Sequence, residues 1–273
     1  MASQLPSVLT TVGLNFLRKI GVQTSVFFSP IEVSLSFIND SLESNELLPT
    51  DIFQVNPDFD EGDFKEKLET LESKLEEMNL STTTWRYPFS VHRKKQFHID
   101  KDIIKQLEFI SMQLDQNFQI SSEQQENMST EDEDFKVLSI PMAENYLSFV
   151  IFLPKENKSL SESLEKLETD IFQNLLRDLN FMYINFQIPV FKVPKTSKGL
   201  KYSSRIFNFQ EFKFTDKTVE DIGKCRIIAK RSSSGFTQRP SERIPLPFLV
   251  DRPFFFAVMT ENIPLILGIF NGK

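Results

Sequence analysis

The fold of this chain is decided by an apolar block, residues 248–270, which reads FLVDRPFFFAVMTENIPLILGIF. Two β-like runs flank the pair Glu261-Asn262, and apolar runs around a short polar break are typical of a β-hairpin. Because the runs are apolar almost throughout, we predict that both strands are buried. The preceding segment, 230–247, is polar, dotted with Arg and Pro, and has no helical or strand period. It predicts an exposed segment that can present a peptide to a partner.

Upstream of this block, apolar periodicity predicts several further elements. The predicted helices are 5–20, a buried helix opened by Pro30 and capped by Ser29, 64–78, and 159–179 with Ser159 as a cap. The predicted strands are 26–29, 85–98, a hairpin over 135–153, one long strand over 182–193, and 219–229. Since the strands are joined as hairpins rather than as β-α-β units, the sequence predicts an α+β fold with antiparallel sheets.

Composition excludes several functional classes. The net charge of -7 and the pI of about 5.1, with acidic and basic residues spread along the chain, argue against nucleic-acid and anionic-membrane binding. No run of eighteen apolar residues is present, so we predict no membrane span. The N-terminus lacks a basic region followed by an apolar one, which predicts a cytoplasmic protein. Four Asn-x-Ser sequons would matter only in the secretory pathway: Asn39, Asn79, Asn127 and Asn157.

No motif of enzymatic chemistry is present. His92 and His98 are too far apart along a strand to share a metal, and Cys225, between two basic residues, is best explained as structural. The acidic stretch 121–134 has consecutive carboxylates and no Gly turn, so it predicts a solvated loop rather than a cation site. With no Gly-rich phosphate loop and no nucleophile elbow, we predict a protein that is not an enzyme and has no metal and no cofactor.

Several blocks, in chain order, resemble the serpin family of serine protease inhibitors. They are FFSP at 27–30, WRYPF at 85–89, FHID at 97–100, FKVLSIP at 135–141, LEKLE at 164–168, FQIPVFKV at 186–193, FLVDRPF at 248–254 and LGIF at 267–270. The resemblance implies one domain, 1–273, with a helical part at 1–80 and a strand-rich part at 85–273. It also implies that Trp85 lies at the breach end of the main sheet and that 230–247 is the reactive loop.

In inhibitory serpins this loop is cut by a protease and then inserts as a strand into the main sheet. The resemblance therefore implies a serine protease inhibitor, with an extracellular location as the alternative to a cytoplasmic one. Arg243-Ile244 is the favoured scissile pair and predicts a trypsin-like partner. The second candidate, Arg239-Pro240, is a poor substrate because Pro follows Arg.

Two departures from the family pattern predict that inhibition is impaired or absent. Between Met78 and Trp85 the family has a covering helix and the central strands of the main sheet, whereas this chain has only residues 79–84. The hinge, which is a run of small residues in the family, is here Arg231, Ser232, Ser233, Ser234 and Gly235. Insertion would also bury Arg239 and place Pro240 in a central strand. The alternatives are a non-inhibitory binding or decoy module, or a degenerate product without a defined activity.

Overall fold

A computed structural model describes residues 5–44, 46–55, 59–77, 85, 89, 91–111, 128–143, 146–181, 184–196, 200–202, 206, 210–215, 219–220 and 246–273. The helices are α1 (Leu5–Ile20), α2 (Pro30–Ser44), α3 (Glu61–Glu77), α4 (Leu160–Lys166) and α5 (Thr169–Arg177). The strands are β1 (Val26–Phe28), β2 (Val91–Asp100), β3 (Ile103–Ser111), β4 (Met128–Glu131), β5 (Phe135–Pro141), β6 (Leu147–Pro154), β7 (Asn180–Phe181), β8 (Ile184–Pro189), β9 (Phe191–Pro194), β10 (Glu211–Phe214), β11 (Val219–Glu220), β12 (Leu246–Leu249), β13 (Phe254–Thr260) and β14 (Ile263–Phe270). The fold is α+β, as predicted.

The largest sheet has seven strands in the order β1-β14-β13-β6-β5-β4-β7, and all of its pairs are antiparallel. The hairpin predicted from residues 248–270 is its centre: β13 and β14 pair around Glu261-Asn262, and every residue of β13 is buried. The hairpin predicted over 135–153 is also confirmed as β5 and β6. Both faces of these strands are covered, which explains their unbroken apolar runs.

Close packing seals the β1 side of this sheet. A Cβ built on Gly268 of β14 would lie 2.3 Å from Cζ of Phe256 and 2.8 Å from the carbonyl oxygen of Val26. Real Cβ atoms do not approach that closely, so only glycine fits between these two neighbouring strands.

Helices α1 and α2 pack against β14. The predicted helix over 5–20 is confirmed, and so are the start of α2 at Pro30 and its burial, which includes Ser34 and Ser36. The predicted capping role of Ser29 is wrong. Its hydroxyl is buried and has no hydrogen-bond partner among the described residues, while its carbonyl accepts the helical bond from Val33. The backbone alone makes this N-terminal contact.

The helix predicted over 159–179 is in fact two helices, α4 and α5. Ser159 does cap α4, in a capping box with Glu162. Arg18 of α1 then donates to the carbonyl oxygens of Leu164 and Leu167, at 3.0 and 2.6 Å. These bonds satisfy carbonyls at the end of α4, and Glu168 begins a new helix as the N-cap of α5. A contact from a distant helix therefore compensates for a break that local periodicity did not reveal.

The single strand predicted over 182–193 is also divided. β8 belongs to a four-stranded sheet, β12-β8-β3-β2, whereas β9 belongs to a three-stranded sheet, β11-β10-β9. β8 ends at Pro189, but Val190 still donates to the carbonyl oxygen of Glu108 in β3, so contact with the first sheet continues for one more residue. The change of sheet therefore falls between Val190 and Phe191, where β9 begins and pairs with β10.

Two further strands differ from expectation. Within the predicted loop 121–134, residues Met128–Glu131 form β4 and pair with β5 and β7. The sequence does not predict the long strand β3, because Ile103–Ser111 mixes exposed apolar and polar residues without a clear alternation. It is held by pairing with β2, whose predicted strand character is confirmed.

Phe is the most frequent residue type among the buried hydrophobic side chains, as the count of 28 in the chain suggests. One aromatic cluster joins the seven-stranded and three-stranded sheets: Phe149, Phe191, Phe212, Phe214, Phe254, Phe256 and Phe270. Among the described helices, none is long and apolar enough to cross a membrane.

Candidate functional site: the ends of the loop segment

The segment predicted to be the reactive loop connects two different sheets. It leaves from β11, in the three-stranded sheet, and returns at β12, in the four-stranded sheet. Residues 221–245 lie outside the described residues. The predicted site residues within that range are Arg231, Ser232, Ser233, Ser234, Gly235, Arg239, Pro240, Arg243 and Ile244, together with Cys225. Their roles remain predictions from the sequence.

The C-terminal boundary of the predicted loop is corrected by two residues. Leu246 and Pro247, assigned to the loop, are the first residues of β12, which pairs in parallel with β8. β12 is an edge strand of its sheet, where Pro is tolerated because its missing N–H can face away from the ladder. Buried Phe248 anchors the strand, and Val250 donates to the carbonyl oxygen of Gln187 at 2.9 Å. The described structure therefore resumes at Leu246 in β12, three residues after Arg243 in the sequence.

The departing end belongs to a small sheet. β10 is its central strand, paired with β9 on one side and with the two-residue β11 on the other. In the described part of the chain, β10 is the only strand that pairs with β11. On the opposite side, β9 meets the seven-stranded sheet at a parallel bridge between Phe27 and Lys195. The sheet from which the predicted loop departs has three strands among the described residues, which is consistent with the predicted shortening of the main sheet.

Trp85, predicted to lie at the breach, sits where all three sheets meet. Its indole N–H donates to the carbonyl oxygen of Thr215, just after β10, at 2.9 Å. Its ring centroid lies 5.8 Å from that of Phe149 in β6 and 4.9 Å from that of Phe214 in β10. Phe89, at 5.3 Å, links the same cluster to β8. Trp85 is only 6% exposed, and its ring contacts join the three sheets.

A buried ion pair ties the three-stranded sheet to α2, and sequence reasoning missed it. Lys195 Nζ lies 2.8 Å from Glu32 Oε1, and the two side chains are 6% and 1% exposed. Nearby, the Tyr202 hydroxyl donates to Glu72 of α3 at 2.5 Å. Burial raises the pKa of Tyr202, and the hydrogen bond to Glu72 raises it further. The sequence signal for this ion pair is Glu32, which stands in the first turn of a helix predicted to be buried. A buried Glu needs a cationic partner.

The remaining titratable groups do not form a reaction centre. In the acidic stretch, Lys155 binds Glu131 and Lys158 binds Asp134, both at 2.6 Å. These hydrogen bonds lower the pKa of both carboxyl groups. Among the described residues, no group of three or more His, Cys, Asp or Glu side chains is placed to hold a metal ion. What the described geometry shows is that the strands on the two sides of residues 221–245, β11 and β12, belong to two different sheets.

Comparisons with known proteins agree with this architecture. A family model described as Serpin (serine protease inhibitor) matches residues 75–202. No curated protein matches the sequence.

Solved structures match the fold over nearly the whole chain. Thyroxine-binding globulin in complex with thyroxine is 13% identical, with 99% of each chain covered and a TM-score of 0.70. A serpin from the trematode Schistosoma haematobium is 13% identical, covering 99% of this chain and 100% of its own, with a TM-score of 0.62. Mouse protein-Z dependent protease inhibitor is 16% identical, covering 100% and 98%, with a TM-score of 0.60.

Proposed function

The chain belongs to the serpin superfamily, and from this premise we propose that it is a non-inhibitory member whose loop is recognised and cut by a trypsin-like serine protease. The loop acts as a decoy substrate, with Arg243-Ile244 as the scissile pair. Cleavage releases the protease because no strand insertion follows. The similar solved structures include both a thyroxine-binding globulin and a protease inhibitor, so family membership alone does not distinguish an inhibitor from a non-inhibitory protein.

The observation that carries this proposal is the shortage of chain between α3 and Trp85. α3 ends at Glu77, and seven residues, 78–84, precede Trp85. A helix and three strands of average length need roughly 25 to 30 residues. The strands that would flank an inserted loop therefore have no sequence to form them. In the described part of the chain, β11 accordingly has a paired neighbour on one side only.

The chemistry of the loop supports the same conclusion. An inserted strand needs backbone hydrogen bonds on both sides and side chains that tolerate burial. Pro240 would remove one ladder donor. Burying Arg239 without a partner would cost roughly 3–5 kcal/mol. Recognition by a protease, in contrast, requires only an accessible peptide, and Arg243 precedes the first residue of β12 by three positions in the sequence.

Incubation with trypsin tests the proposal. We expect cleavage after Arg243, located by mass spectrometry, no SDS-stable adduct, and no rise in Tm of the cleaved protein. Arg243→Gln should abolish this cut, while the matched variant Arg239→Gln should leave it unchanged. An adduct containing both chains, lost in Arg243→Gln, would overturn the proposal and identify an inhibitor instead.

A further inference from the structure

The outer edge of β2 has open backbone positions. β2 is the last strand of the order β12-β8-β3-β2, and in the described part of the chain it pairs with β3 alone. Two contacts fix the direction of its backbone groups. The N–H of His98 donates to the carbonyl oxygen of Asp251 at 2.7 Å, so the backbone of His98 points away from β3. Glu108 of β3 lies opposite Lys94, and its carbonyl oxygen accepts from Val190 on the far side of β3. Lys94 and Glu108 therefore do not bond to each other, and the backbone groups of Lys94 also point outward.

The antiparallel alternation then assigns the remaining positions. Pairs whose N–H and C=O groups point outward alternate with pairs that bond to each other. Because His98 and Lys94 are outward-pointing positions, Gln96 between them is one as well. His98 is already bonded to Asp251, so the open donors and acceptors are those of Lys94 and Gln96. An exposed edge of this kind is a template for strand addition.

The side chains of this edge are basic, against the overall charge of the protein. Arg93, Lys94 and Lys95 are consecutive, while the whole chain carries -7. Arg93 and Lys94 are exposed and project to opposite faces of the strand. No ion pair of either side chain is seen within the described residues, although exposed Glu108 of β3 is the cross-strand neighbour of Lys94. The ammonium group of Lys95 already donates a hydrogen bond to the Gln187 side chain of β8.

We propose that the β2 edge binds an extended acidic segment of another protein by strand addition, with neighbouring carboxylates opposite Arg93 and Lys94. Cross-strand partners on both faces would then carry opposite charge, which stabilises pairing. A second copy of this chain fits poorly. Antiparallel pairing of two β2 edges centred on Lys94 would set Lys94 against Lys94 and Arg93 against Lys95. This surface is independent of the loop and of the proposed cleavage at Arg243.

The probe is a capped, fluorophore-labelled peptide of sequence TVEEEVT, followed by fluorescence anisotropy. We expect saturable binding that weakens as salt rises. A second peptide with alternate backbone amides N-methylated keeps the charges but cannot complete the ladder, and TVKKKVT reverses the charge. Neither should bind. Equal binding of the N-methylated peptide, or tighter binding of a sulfated polysaccharide than of TVEEEVT, would overturn strand addition and show a simple polyanion site. Absence of TVEEEVT binding would also overturn it.

Two pairs of variants localise the site. Arg93→Glu with Lys94→Glu should abolish binding, whereas Lys74→Glu with Lys192→Glu makes the same change in net charge on exposed positions elsewhere and should leave binding intact. Gln96→Pro removes an outward donor without touching the β2–β3 ladder and should weaken binding about fivefold.

The matched control for that proline is Gln106→Pro. Gln106 pairs with Gln96 in the same hairpin, and its N–H points to the opposite edge, so binding should stay within about twofold of wild type. Equal losses in the two Pro variants would place the peptide elsewhere. Circular dichroism melts confirm that each variant is folded before it is compared.

Discussion

The seven-stranded and three-stranded sheets differ in how completely their strands are paired. In the first, β13 forms long ladders with both β14 and β6, and every one of its residues is buried. In the second, β10 meets a four-residue strand and a two-residue strand. The first sheet holds the hydrophobic centre, and the second carries the loop. The difference teaches that one fold, similar to that of the solved serpins, combines a densely paired sheet with one that has little pairing.

The largest expected effect comes from the buried ion pair that fastens the small sheet to α2. Lys195→Met removes the cationic partner of Glu32, whose side chain is 1% exposed. We expect a loss of roughly 3–5 kcal/mol in the free energy of unfolding, because a buried carboxylate is left without that partner. Chemical denaturation followed by circular dichroism measures it. A loss as small as that of an exposed pair would mean that the small sheet does not depend on this anchor.

The matched control removes both charges. Glu32→Leu with Lys195→Met leaves no buried charge at this position, and such replacements are often close to neutral. The double variant should therefore be more stable than Lys195→Met alone. If it is less stable, the two side chains hold the sheet through other contacts.

A smaller effect is expected where the seven-stranded sheet is tightest. Gly268→Ala places a methyl group 2.3 Å from Phe256 Cζ and 2.8 Å from the carbonyl oxygen of Val26. Overpacking of this kind costs about 1–3 kcal/mol, again read from denaturation midpoints. Gly62→Ala in α3 is the control, since its nearest atom is an Asp60 oxygen at 3.3 Å and Ala favours a helix. Equal stability of Gly268→Ala and wild type would show that β1 shifts at little energetic cost to make room for the methyl group.

The capping box of α4, which packs on β6, should have an effect of intermediate size. Ser159→Ala removes the side-chain acceptor for the Glu162 N–H. A loss of about 1 kcal/mol is expected from such a cap. Ser159→Asp keeps an acceptor and should restore most of the stability in the same denaturation assay. Failure of Asp to do so would argue that the hydroxyl has another role.

The smallest effect concerns pH. Lys158 lowers the pKa of Asp134, so this pair stabilises the fold above the ordinary carboxyl pKa, near 4, and loses that contribution as pH falls below it. Lys158→Met should cost less than about 1 kcal/mol at pH 7. The difference from wild type, measured by urea melts, should shrink progressively as the pH falls below 4. Exposed Lys192→Met serves as the control, with no such pH dependence expected. A difference that persists at low pH would have to come from packing.

Where local pattern and environment agree, the elements follow from sequence. The β13–β14 hairpin, the β5–β6 hairpin, α1 and the start of α2 are all predictable, because their apolar periods match their buried faces. Trp85, which the resemblance assigns to the breach, packs where the three sheets meet. Its partners Phe149 and Phe214 are distant in sequence, so the contact itself could not be inferred.

The failures share a different cause. The break at Glu168 depends on Arg18, and the change of sheet between β8 and β9 depends on the pairing of β9 with β10. β3 is a strand because β2 pairs with it, despite its exposed isoleucines. Each is decided by a partner far away along the chain, which a window of local sequence does not contain.

The sequence by itself determined the α+β class, the central hairpins, the family resemblance, and the shortage of residues before Trp85. These rest on apolar periodicity and chain length, which are local or covalent properties. Only the tertiary structure decided that Leu246 already belongs to β12, that Lys195 binds Glu32, and that the open edge of β2 lies at Lys94 and Gln96. Each of these depends on which backbone and charged groups meet across the fold.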